Sequence, residues 1–123
     1  MHLVEVDVQC SEQHSEILTH EGKDAEFLIE ELIVHLFQEF YEHSLVDEVT
    51  INRSARSTPE QLWYDIRILV RCSHPLRAMD KHGREFMELT LEGQFSSALT
   101  EFFDIVEVKL VMITTLSADR VVI

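Results

Sequence analysis

The chain has 123 residues, 46% of them apolar, and a formal net charge of -13 from 23 acids against 10 bases. That charge excludes sequence-independent binding to nucleic acid and adhesion to anionic membranes, both of which need a dominant positive surface. The length suits a single domain over residues 1–123, and the two cysteines, Cys10 and Cys72, are too few for a disulfide framework.

The charge is unevenly spread. Residues 1–52 carry thirteen acids and one base, residues 53–84 seven bases and three acids, and residues 85–123 seven acids and two bases. The plainest reading is that the middle arginines pair with acids of neighbouring elements. The most apolar late run, Ile105 to Leu116, carries Glu107 and Lys109 and is too short to span a bilayer. No basic-then-apolar leader precedes the first strand pattern, so a soluble cytoplasmic protein is expected.

Leu3 to Cys10 alternates Val4, Val6, Val8 and Cys10 against Glu5, Asp7 and Gln9, which predicts a half-buried strand with an acidic outer face. Ser11 to Lys23 is polar and reads as loop, with Ile17 to Thr19 as a short apolar run within it. Asp24 to Ser44 predicts the main helix, capped by Asp24. Ile29, Leu32, Ile33, Leu36, Phe37 and Phe40 share one sector that must face the core. Phe27, Val34 and Tyr41, spaced by seven, form a second apolar line far from the first, with Glu31, Gln38 and Glu42 beside it.

Leu45 to Asn52 predicts a second strand with Val49 and Ile51 inward, and Arg53 to Thr58 an exposed turn. Thr58-Pro59-Glu60-Gln61 has the form of a helix start. Leu62 to Cys72 then alternates as a strand and is expected at the centre of the sheet. Ser73 to Gly83 is a connection. Arg84 to Glu92 sets Met87, Leu89 and Leu91 against Glu88, Thr90 and Glu92, a fourth strand ended by Gly93. Gln94 to Asp104 predicts a short helix with Phe95, Ala98, Leu99 and Phe102 on one face. Ile105 to Leu116 predicts the last strand, with Val106, Val108, Leu110 and Met112 inward and Val111 and Ile113 on the other side. Arg120 to Ile123 is a candidate terminal strand.

The order predicts an α+β fold: an antiparallel sheet of four to five strands with two helices on one face, β-α-β-β-β-α-β. If Arg84 to Gly93 is helical, the order becomes the β-α-β-β-α-β of ferredoxin-like domains.

No motif of catalysis is present: there is no GxSxG, Walker loop or GxGxxG, and no cofactor is implied. His35, Glu39 and His43 follow at four-residue steps, but together they span about 12 Å of helix and do not converge on one metal ion. Trp63 sits on an outer strand face that it shares with acids, which argues against stacking on nucleic-acid bases. The first expectation is therefore a non-enzymatic acidic protein that binds a basic protein partner, as an inhibitor, immunity or antirestriction-type antagonist does. Its partner surface is Phe27, Glu31, Val34, Gln38, Tyr41 and Glu42. Self-association is expected because Val111 and Ile113 on the last strand, with the line Phe27, Val34 and Tyr41, leave more apolar surface than one sheet face covers. The alternative is a small anion-binding or metal-assisted enzyme using Arg71, His74, Arg77, Lys81, His82 and Arg84, whose donors gather on and beside one loop.

Overall fold

A computed structural model describes residues 2–13, 16–20, 22–37, 45–72 and 81–118. Seven elements follow in order: β1 (His2–Glu12), α1 (Ile17–His20), α2 (Gly22–Phe37), β2 (Leu45–Arg53), β3 (Leu62–Cys72), α3 (Lys81–Phe102) and β4 (Ile105–Ala118). The four strands form one antiparallel sheet in the order β2-β3-β1-β4. The fold is α+β, with α2 packed toward the β2 side of the sheet and α3 toward the β4 side.

The core follows from strand alternation. Val4, Val6, Val8 and Cys10 of β1 and Tyr64, Ile66, Ile68 and Val70 of β3 are all buried on one face. In-register pairs such as Val6 with Ile68 and Val8 with Ile66 keep the inner residues of the two central strands aligned. Ala25, Ile29, Ile33, Leu36 and Phe37 of α2 close over this face, with Leu28 and Leu32 half-buried at the margin. The core sector of α2 is thus the one that helical spacing marks out. Phe40 and the helix end placed at Ser44 lie outside the described residues.

Several expectations need correction. Arg84 to Glu92 is not a strand and Gly93 breaks nothing: Lys81–Phe102 is one helix of 22 residues. Met87, Leu91, Phe95 and Leu99 are buried at successive four-residue steps, while Leu89 is 71% exposed. Steps of four satisfy a period of two as well as a period of 3.6, and only the continuation to Phe95 and Leu99 separates them. Phe102, expected on the core face, is exposed at the helix end. Thr58 to Gln61 is no helical turn; mutual bonds between Thr58 and Gln61 close a tight loop instead. Ile17–His20, expected as loop, forms a single helical turn.

β4 departs furthest from its predicted pattern. Its inner residues are Ile105, Val108, Leu110 and Ile113, whereas Val106, Val111 and Met112 are exposed. The register against β1 skips at three places, leaving Val106, Val111 and Leu116 without a partner residue on β1. Each skip is a bulge that adds one residue and reverses the side on which the following residues fall.

Candidate functional site

The outer face of α2 arises because the helix needs only one side for the core. Lys23, Asp24, Glu26, Phe27, Glu30, Glu31 and His35 are exposed, and Val34 is half-buried beside them. Phe27 is 61% exposed. It stands at one end of a groove of about 530 Å³ whose lining includes Glu30, Glu31 and Val34. Of the six residues expected to form the partner surface, Phe27, Glu31 and Val34 are brought together here. Gln38, Tyr41 and Glu42 lie outside the described residues.

The distribution of ion pairs gives this face its electrostatic character. Arg53 pairs with Glu16 at 3.0 Å, Arg71 with Asp47 at 3.1 Å, and Arg67 with both Glu5 at 2.8 Å and Asp7 at 3.3 Å. Among the described residues, Arg53, Arg67 and Arg71 of the middle segment thus pair with acids from residues 1–52. None of those acids belongs to α2. Among the described residues, Asp24, Glu26, Glu30 and Glu31 have no ion pair, so their charge is presented to solvent. Exposed carboxylates on one helix face repel one another mildly and attract any cationic surface that approaches.

The sheet face opposite the helices is also open, with a trough of about 600 Å³ lined in part by Asp7, Gln9, Thr50, Asp65 and Arg67. Its polar groups are largely occupied with one another. Gln9 Nε2 donates to Asp65 at 3.0 Å, and Arg56 Nη1 donates to Gln9 Oε1 at 3.2 Å. The same guanidinium lies 4.0 Å from the centre of the Trp63 ring. Trp63 is therefore covered by a cation of its own chain, which takes the position a stacking base would need. Burial pushes the Glu5 carboxyl above its ordinary value, repulsion from Asp7 adds to the effect, and Arg67 opposes it.

Sequence reasoning missed a buried polar cluster at the end of β1. Glu12 is fully buried and accepts a bond from the Tyr64 hydroxyl at 2.7 Å and another from the Leu18 backbone N–H at 3.3 Å. Thr19 Oγ1 donates in turn to the Tyr64 oxygen at 3.2 Å. The carboxylate thereby anchors α1 to the sheet, with Glu16 held at φ 53° just before the helix. A signal existed: Glu12 continues the even-numbered inward parity of Val4 to Cys10, which the polar character of residues 11–23 obscured.

The remaining expected residues are placed as follows. Val111 is 48% exposed on β4, but Ile113 packs in the core at 6% exposure, so the two do not share a surface. Arg71 is engaged with Asp47 and His82 is exposed on α3. His74 and Arg77, and the side chains of Lys81 and Arg84, lie outside the described residues, as do Glu39 and His43. Among the described residues no group of three or more metal-ligating side chains converges, and no helix is long and apolar enough to cross a membrane. Cys10 is a free, buried thiol raised to about 12, first by burial and then by Glu12 and Asp65.

No protein-family model matches the chain, and no curated protein matches it. A similar solved structure is the full extracellular region of zebrafish Gpr126/Adgrg6, at 12% identity and a TM-score of 0.41. The match covers 93% of this chain and 13% of that one.

Proposed function

We propose that this is an interaction protein without catalytic activity, which presents the outer face of α2 to a basic protein partner as an inhibitor or antagonist does. The observation that carries the reading is the contrast in charge pairing. The arginines of β2 and β3 already hold carboxylates of their own chain, while Asp24, Glu26, Glu30 and Glu31 stand unpaired among the described residues around an exposed Phe27. The charges accelerate encounter with a cationic surface, and the apolar groove from Phe27 to Val34 supplies affinity once contact is made.

Parallel pull-downs from the native host test this, with wild-type chain and a Glu30→Lys, Glu31→Lys double variant as baits. A basic protein should be retained by the wild type and lost from the folded variant. Its association rate should fall steeply with added salt while dissociation changes little. Equal retention by both baits would remove α2 from consideration.

A further inference from the structure

The turn between β2 and β3 holds a motif that its local structure leaves unused. Thr58-Pro59 has the sequence of a helix start, yet no helix begins there, and both residues are exposed. Of the two prolines in the chain only Pro59 follows a hydroxyl residue, since Pro75 follows His74. Ser54, Ser57 and Thr58 all lie in this turn, and their hydrogen bonds tell them apart. Ser57 Oγ donates to the Trp63 carbonyl at 3.0 Å and accepts the Trp63 N–H at 2.9 Å, so it is fixed to the start of β3. Ser54 Oγ accepts the Arg56 N–H at 3.2 Å and is half-buried. Thr58 Oγ1 accepts the Gln61 N–H at 3.1 Å, but its own proton has only the Gln61 carbonyl at 3.5 Å, too long for a strong bond. Thr58 thus carries the most accessible hydroxyl of the turn.

Two residues before Thr58 stands a cation without an anion. Arg53, Arg67 and Arg71 all hold carboxylates, but among the described residues Arg56 holds none. Its guanidinium is kept instead over the Trp63 ring, 4.0 Å from the centre, and Nη1 donates to Gln9 Oε1 at 3.2 Å. These contacts fix the group and leave its Nε and Nη2 donors without an acceptor among the described residues. A stacked guanidinium with free donors suits a phosphate, whose oxygens accept two parallel bonds from it. Residues two apart are separated by at most about 7 Å of chain, which an arginine side chain can reach across.

We infer that Thr58 is a phosphorylation site for a protein kinase that requires proline after its acceptor, and that Arg56 holds the phosphate once it is attached. In that reaction the Thr58 oxygen attacks the γ-phosphorus of ATP. The new O–P bond forms as the bond to the bridging β–γ oxygen breaks, ADP leaves, and the hydroxyl proton passes to the catalytic aspartate of the kinase. Proline marks the acceptor because it has no N–H: a groove that offers no hydrogen-bond acceptor at that position selects against every residue that has one. The phosphate adds about 1.5 to 2 negative charges at neutral pH to a turn that already exposes Glu60. Arg53 is engaged with Glu16, so Arg56 is the arginine of the turn left to offset them.

Incubation of the full chain with a proline-directed kinase and magnesium ATP, followed by peptide mass spectrometry, tests the site. The folded wild type should gain a phosphate on Thr58. Thr58→Ala should gain none in this turn, and Pro59→Ala should be modified more slowly by about tenfold or more. Both positions are exposed, so both variants should fold. The role of Arg56 is read from the phosphorus NMR shift of the modified chain across pH. The second ionisation of the phosphate, ordinarily near about 6, should lie lower in the wild type than in Arg56→Ala by about half a unit. A wild type left unmodified at Thr58, or modified at Ser54 or Ser57 in its place, would overturn the site. Pro59→Ala modified as fast as the wild type would overturn the kinase class, and equal titration with and without Arg56 would overturn its hold on the phosphate.

Discussion

The Tyr64 hydroxyl donates to Oε1 of Glu12 at 2.7 Å, and both side chains are shut off from solvent. Burial pushes the Tyr64 phenol up to about 12, Thr19 opposes the shift by donating to it, and Glu12 adds to it. The buried Cys10 thiol, also raised to about 12, lies on the same inner face of the sheet. Raised values mean that the folded chain holds these protons longer than the unfolded chain does. The stability they contribute is fully present below the ordinary values of 9.0 and 10.0 and is lost as pH climbs toward about 12. Denaturant midpoints should therefore fall steeply between about pH 9 and pH 12, and Tyr64→Phe should remove part of that slope. The same substitution should cost about 1 to 2 kcal/mol at neutral pH, and Glu12→Ala about 3 kcal/mol, because it strands the Tyr64 hydroxyl and the Leu18 N–H together.

At the acid end the informative group is Glu5. Its raised value means that its protonated form suits the fold better than its charged form, so its contribution is present at low pH and is lost as pH rises through the folded value. Glu5→Gln should leave stability at neutral pH unchanged or higher. Arg67→Ala should lower it, since Glu5 and Asp7 would then face each other without a cation. Thermal unfolding of the two variants at neutral and acid pH separates these directions.

The bulged register of β4 makes opposite forecasts for two neighbouring residues. Ile113→Glu places a carboxylate in the core and should cost about 3 to 5 kcal/mol or prevent folding. Val111→Glu, on the exposed side, should change stability by only about 0.5 kcal/mol. Equal effects in urea unfolding would mean that the strand keeps a flat alternation.

Amide hydrogen exchange should be slowest in β1 and β3, the two strands flanked on both sides, and faster in β2 and β4 at the edges. A pattern in which β2 outlasts β3 would contradict the strand order.

How much of this was legible depends on whether a stretch keeps one period. β1 and β3 run flat against each other in unbroken register, so alternation alone identified their inner faces. The α2 surface around Phe27 and Val34 was legible for the same reason, since helical spacing alone separates it from the core sector. Met87, Leu89 and Leu91 fit two periods, and the true one emerges only from Phe95 and Leu99 beyond Gly93. In β4 the bulge at Val111 inserts an apolar residue into the apolar run from Leu110 to Ile113, so composition carries no trace of the phase change that moves Ile113 inward and Met112 outward. Glu12 was hidden by its charge, because a carboxylate is assigned to the surface unless its partner, here Tyr64 more than fifty residues away, is already known.

The placement of β1 also has a kinetic side. It is the first strand in the chain, and its two ladders reach β3 and, at the opposite end of the sequence, β4, where Val6 meets Ile113. Both closures are long in sequence, which slows assembly. During synthesis Val4, Val6 and Val8 have no complete sheet to join until β4 has emerged, so until then the future centre of the sheet is a sticky, acidic-edged ribbon in search of two neighbours. Any lesion that delays β4 prolongs that exposure, so damage at the last strand should show up as aggregation seeded by the first.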